Sequence, residues 1–149
     1  THTMTTCRDD LTPVNRERYD KLEILDSVAF VHDHLLPSLK LQPIAENVVL
    51  HPVCSVTKMG LDGKFTAIAN ACAESSSVPV HAGCCGFAGD RGLLFPELPA
   101  AATRAEAAEV TASGCGRCYS SSRTCELGLS TATGRIYQSF IYLVERASR

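Results

Sequence analysis

Two short, β-rich runs in this chain end in the same way, and that echo constrains the fold more than anything else in the sequence. Val48-Val49-Leu50 leads into His51-Pro52-Val53-Cys54, and Val78-Pro79-Val80 leads into His81-Ala82-Gly83-Cys84-Cys85-Gly86. Each delivers His-x-x-Cys into the turn after a strand. Between them, residues 61–74 set Leu61, Phe65, Ile68 and Cys72 at helical spacing. A strand, a helical crossover and a second strand predict adjacent parallel strands, with both cysteines delivered to one rim.

The remaining segments extend the alternation. Thr12-Pro13 reads as a helix start, with Thr12 as N-cap and Pro13 in the first helical position. Asp26 is a second N-cap, followed by apolar Val28, Val31, Leu35 and Leu36 until Pro37 stops the run. Residues 96–110 are Ala-rich and helical, with Glu97 suiting the start of the helix dipole. A weaker strand signal lies at 117–121. Tyr137, Phe140, Ile141 and Val144 then form an i, i+3, i+4, i+7 stripe on a closing helix. The expected fold class is therefore α/β: a mainly parallel sheet flanked by helices, with a metal site at the C-terminal ends of the strands. The chain is read as one cysteine-rich domain over 1–149, with 1–45 a helical lead-in.

Thiol chemistry narrows the function. The 8 cysteines are too sparse in 149 residues for a secreted disulfide scaffold, and 45% apolar residues provide a core without staples. Their clustering, as Cys84-Cys85 and as Cys115-x-x-Cys118, suits metal ligation better than cross-linking. Thiolates favour zinc, copper(I) and iron–sulfur units. A third set, Cys115, Cys118 and Cys125, follows the next helix and could close the same site. A formal net charge of −2 offers no basic field for nucleic acid. No apolar run approaches the roughly 20 residues of a membrane span, and the opening residues lack the features of a secretory signal. The polar start without an initiator Met reads as the continuation of a longer chain, and the expected compartment is the cytoplasm, a peripheral place at the inner membrane face being compatible with it.

One stretch carries a family likeness. Cys84-Cys85-Gly86-Phe87-Ala88-Gly89-Asp90-Arg91-Gly92, followed by Pro96-Glu97-Leu98, resembles the CCG cysteine-rich domain. That domain occurs in heterodisulfide reductase, in the glycolate oxidase iron–sulfur subunit and in flavin-linked D-lactate and D-2-hydroxyacid dehydrogenases. Ser121-Ser122-Arg123-Thr124-Cys125-Glu126-Leu127-Gly128-Leu129 and Tyr137-Gln138-Ser139-Phe140 add to the likeness, most of all to the C-terminal part of fused FAD and iron–sulfur oxidases. The family pattern is one Cys, a Cys-Cys-Gly some thirty residues on, and then C-x-x-C. Ser122 stands where that last motif has its first cysteine, and Cys115-Gly116-Arg117-Cys118 lies ahead of that point.

The resemblance implies metal ligation by Cys54, Cys84, Cys85 and Cys125. It implies an iron–sulfur cluster of the 4Fe-4S type, or zinc, in this domain and FAD elsewhere in the parent enzyme. The smaller set of Cys54, Cys85 and Cys125, completed by Cys84 or a histidine, could hold zinc. The implied role is electron transfer in a D-2-hydroxyacid dehydrogenase. The implied partners are the FAD-binding domain, another iron–sulfur domain and a downstream electron acceptor. A structural zinc module for docking is the alternative, and a thiol–disulfide relay through Cys84-Cys85 or Cys115-Cys118 is a third. No dinucleotide fingerprint is present, so the chain alone is expected to be inactive.

Other residues have plainer readings. Cys7 and Cys72 read as inert thiols, the latter on an apolar helix face. His32 and His34 read as solvent-facing. His51 and His81 are candidates either for ligation or for a supporting role behind the ligands, Asp90-Arg91 for a loop ion pair, and Glu126 for a helix start.

Overall fold

The computed structural model describes residues 9–149; Cys7 lies outside them. Thr12 accepts a hydrogen bond from the Asn15 amide and Pro13 opens α1, Pro13–Tyr19, which buries no residue. Asp26 accepts from the Val28 amide at 2.8 Å and caps α2, Ser27–Phe30. The chain keeps turning through a π-turn at Val31–Leu35 and a 3-10 turn at Leu36–Ser38 that contains Pro37. Of the expected stripe, Val28 and Val31 are buried and Leu35 is exposed.

The elements that follow are β1 (Ile44–His51), α3 (Cys54–Lys58), α4 (Asp62–Cys72), β2 (Ala73–Ser77), α5 (Arg91–Leu94), α6 (Glu97–Ala112), β3 (Arg117–Ser120), α7 (Arg123–Thr133), β4 (Tyr137–Ser139) and α8 (Phe140–Ala147). The strands lie in the order β2-β1-β3-β4, and every neighbouring pair is parallel. The fold is thus α/β, with a four-stranded all-parallel sheet flanked by helices, as the alternating pattern predicts. Val48, Val49, Leu50 and His51 are all buried in the inner strand β1, the mark of a strand covered on both faces. Burial of large side chains such as Leu50, Tyr119 and Phe65 contributes about 1.5–3 kcal/mol each. Glu46 of β1 ties in Arg146 of α8 at 2.7 Å and Arg117 of β3 at 2.8 Å.

Two elements differ from the sequence expectation. The second strand is Ala73–Ser77, and the Val78-Pro79-Val80-His81 run is a turn, in which the Ala82 amide donates to the Pro79 carbonyl at 3.0 Å. Pro79 has no N–H for a ladder, and Val80 is 88% exposed. The serine run holds the sheet edge instead, and Ser75 donates to the side chain of Asn47 on β1. At the far end, Tyr137 belongs to a fourth strand paired with Cys118, and Ser139 caps a helix that starts only at Phe140. The stripe that α8 buries is therefore Phe140, Leu143, Val144 and Ala147, and Ile141 faces outwards.

No described helix is long and apolar enough to cross a membrane.

Candidate metal centre

The parallel order sends three chain crossings out of the same sheet edge. β1 ends at His51 and α3 opens on Cys54; β3 ends at Ser120, paired with His51, and Cys125 is the third residue of α7. The Cys84-Cys85 loop leaves the C-terminal end of β2. The Cys85 and Cys125 sulfurs stand 2.8 Å apart, both buried, though they are 40 residues apart in sequence. Cys54 is half-buried and Cys84 exposed. These two line a cleft of about 250 Å³ with Pro52, Thr57, Lys58, Ala82 and Gly83. The site is thus a buried thiol pair beneath a pair open to solvent, with a lysine at the cleft.

Cys85, Cys125 and Cys54 each have their ionisation shifted by neighbouring thiols. Cys85 is pushed down to about 6, first by the hydrogen bond from Cys125; burial opposes this, and the Phe87 amide and His51 reinforce it. Cys125 is pushed strongly up, first by that same bond to Cys85, then by burial and by the charges of Cys85, Cys54 and Cys84. Cys54 is raised by burial and then by the Cys84 thiol beside it. The same contact thus favours the thiolate form at Cys85 and the thiol form at Cys125.

The loop that presents Cys85 is locked by its own residues. Gly86 adopts φ +71, and its α-carbon lies so close to α6 that an added Cβ would sit 2.7 Å from the Ala102 Cβ and 2.8 Å from the Leu98 carbonyl oxygen. Phe87 is buried, its ring against Gly92 of α5, whose amide donates to the Phe87 carbonyl at 2.8 Å.

Behind the thiols lies a pair that the sequence only half disclosed. His51 is fully buried, and its Nδ1 lies 2.7 Å from Oε1 of Glu106, which is 2% exposed on α6. His51 Nε2 is buried without a hydrogen-bond partner among the described residues. Glu106 escaped the sequence reading because it sits in an Ala-rich helix. Its signal was spacing: Thr103, Glu106, Ala107 and Val110 form an i, i+3, i+4, i+7 buried stripe, and a carboxylate there needs a partner. His81 has a different setting. It is exposed, and Glu109 accepts from its Nδ1 at 3.1 Å and from the amides of Val80 and His81.

The other candidates lie apart. Cys115 and Cys118 are buried with sulfurs 3.4 Å apart at the N-terminal end of β3, away from the rim. Burial and the Cys115 thiol push Cys118 up to about 12. Cys72 is fully buried, and burial pushes it up to about 11. His32 is half-buried and His34 exposed. Glu126 pairs with Arg123 within the first turn of α7 at 2.9 Å.

The donor chemistry fits a thiophilic metal: four thiols at one rim, Cys85 pushed toward its thiolate form, and a buried imidazole nitrogen at the end of β1 with no partner among the described residues. Among the described residues, no three His, Cys, Asp or Glu donors stand at coordination geometry. Two thiolates on one tetrahedral ion lie about 3.8 Å apart, given metal–sulfur bonds of about 2.3 Å, so Cys85 and Cys125 would have to part by about 1 Å. Replacing Cys115 and Cys118 together with alanine, or Cys72 with serine, should leave metal stoichiometry unchanged. Cys72→Ser should cost about 1–3 kcal/mol for an unpaired buried hydroxyl. Metal analysis and denaturant unfolding of these variants check both statements.

Searched against family models, curated proteins and solved structures, the chain matches none.

Proposed function

We propose that this chain holds a metal centre on Cys54, Cys84, Cys85 and Cys125 and serves as an electron-transfer domain of an FAD-linked D-2-hydroxyacid dehydrogenase. The observation that carries the metal reading is the meeting of Cys85 and Cys125 at 2.8 Å, one from the loop after β2 and the other from the first turn of α7, with Cys54 and Cys84 alongside. When bound, an iron–sulfur centre there would store and pass single electrons. The chain's own residues divide the remaining work. Cys85 offers a thiolate near neutral pH, and Cys84 and the cleft give the site an open side toward another domain. The D-2-hydroxyacid substrate, the FAD-binding domain, the second iron–sulfur domain and the downstream acceptor come from the CCG-domain resemblance alone. Zinc is the second reading: with Ser122 in place of a further thiol, four cysteines match the ligand number of one tetrahedral ion.

Anaerobic purification followed by metal analysis and a visible spectrum tests the proposal. Iron with broad charge-transfer bands supports electron transfer, and colourless protein with one zinc supports the docking module. Protein without either metal, carrying a reducible disulfide, overturns both in favour of a thiol relay. The chain by itself should not oxidise D-lactate or D-2-hydroxyglutarate with an artificial electron acceptor, since its sequence shows no dinucleotide fingerprint and hydride transfer needs a two-electron cofactor. Turnover by the purified chain without a flavoprotein would refute that division of labour.

A further inference from the structure

We propose that His51 is a nitrogen donor to the same metal as Cys85, and that Glu106 is the positioning residue that holds it. The inference rests on the metal reading of the cysteine cluster and adds a donor outside the thiol set.

Three observations carry it. His51 is the last residue of β1, three positions before Cys54, so its backbone is fixed by pairing with Ser120 on the strand that leads to Cys125. Glu106, from a separate element, sits 2.7 Å from Nδ1, with both side chains at least 98% buried. With Nδ1 turned to Glu106, the ring atom left to act as a metal donor is Nε2, in the tautomer protonated at Nδ1 that a metal would select. That nitrogen has no partner among the described residues, and it belongs to the strand end that leads three residues on to Cys54.

A merely structural role explains this poorly. A buried acid–imidazole pair is no more stabilising than an apolar pair of the same volume, and leaving Nε2 unpaired adds a desolvation cost. Metal-binding histidines, in contrast, characteristically donate their second N–H to a carboxylate, which fixes the tautomer and raises the basicity of the ligating nitrogen. A neutral donor also limits the negative charge that several thiolates would place in a buried site. On a single four-coordinate ion, His51 would take the place of Cys84, the most exposed of the thiols; on a cluster it would join the cysteines as a further donor.

The test uses the full chain reconstituted anaerobically with zinc, read by X-ray absorption at the zinc edge and by competition with a chromophoric chelator. The expected wild-type spectrum contains the outer-shell scattering of one imidazole, and His51→Gln should leave sulfur and oxygen only. Glu106→Gln keeps the shape and should retain the fold by circular dichroism, yet lose about 10–100-fold in zinc affinity. Glu106→Asp should recover part of that loss. A wild-type shell of four sulfurs, with Glu106→Gln binding zinc as tightly as wild type, overturns the proposal and leaves the cysteine centre standing. A wild-type chain that takes up no zinc or iron overturns both.

Discussion

Replacing Cys85 with serine should empty the metal site. Cys85 is the hub of the cluster: it meets Cys125 at 2.8 Å, takes the Phe87 amide and feels His51. Loss of a partner behind the ligands costs roughly 10–100-fold in metal affinity, so loss of this thiolate should cost at least the upper end of that range. Cys125→Ser should match it. Cys54→Ser should also abolish binding, and Cys84→Ser, the most exposed position, provides the graded comparison. Metal per chain after anaerobic loading and desalting is the readout. If Cys85→Ser keeps its metal, the centre is elsewhere. Ligation takes thiolates, so uptake should also release protons from the thiols and affinity should fall as pH falls; a pH series on the wild type checks that sign.

Gly86→Ala should be the most destabilising single methyl addition in the cysteine loop. The left-handed φ of +71 costs an alanine about 1–2 kcal/mol. The new methyl would then overlap the Leu98 carbonyl and the Ala102 side chain, at 2.8 and 2.7 Å, and such overpacking adds about 1–3 kcal/mol. The sum is about 2–5 kcal/mol. Gly89 separates the two causes: it has φ +76, but its added Cβ would meet no described atom within 4 Å, so Gly89→Ala should cost only the backbone share. Urea unfolding of the two variants distinguishes them. Equal midpoints would mean that contact with α6 does not constrain the loop.

The parts of the fold legible in the sequence were those governed by local chemistry. Thr12 and Asp26 cap helices where their side chains reach the next amides, and Val48-Val49-Leu50-His51 lies in a strand because a run without polar interruption suits an inner parallel strand. Composition misled where tertiary pairing took over. Val78 and Val80 have strand propensity, but Pro79 between them cannot donate, and polar Ser75 found a partner in Asn47 across the ladder. Tyr137 fits the helical stripe by spacing yet pairs with Cys118, a contact 19 residues away that no periodicity encodes. Parallel strands send Cys54, Cys85 and Cys125 to one rim, but β1 lies between β2 and β3, so the contact of Cys85 with Cys125 depends on the path of the Cys84-Cys85 loop. The meeting of His51 with Glu106 depended on which face of α6 turned inward, and an Ala-rich helix leaves that face weakly marked.

Helix α6 carries more than packing. Along one side, Leu98 and Ala102 back the turn at Gly86, Glu106 holds His51 one turn further on, and Glu109 grips the amides of Val80 and His81. A single rigid rod thus touches the cysteine loop at both its ends and the imidazole in the middle. If parting of Cys85 and Cys125 to admit an ion shifts that rod, the contacts at Glu109 should shift with it. Amide exchange at Val80 and His81, which Glu109 holds, is then expected to change on metal loading although neither residue is among the thiol donors.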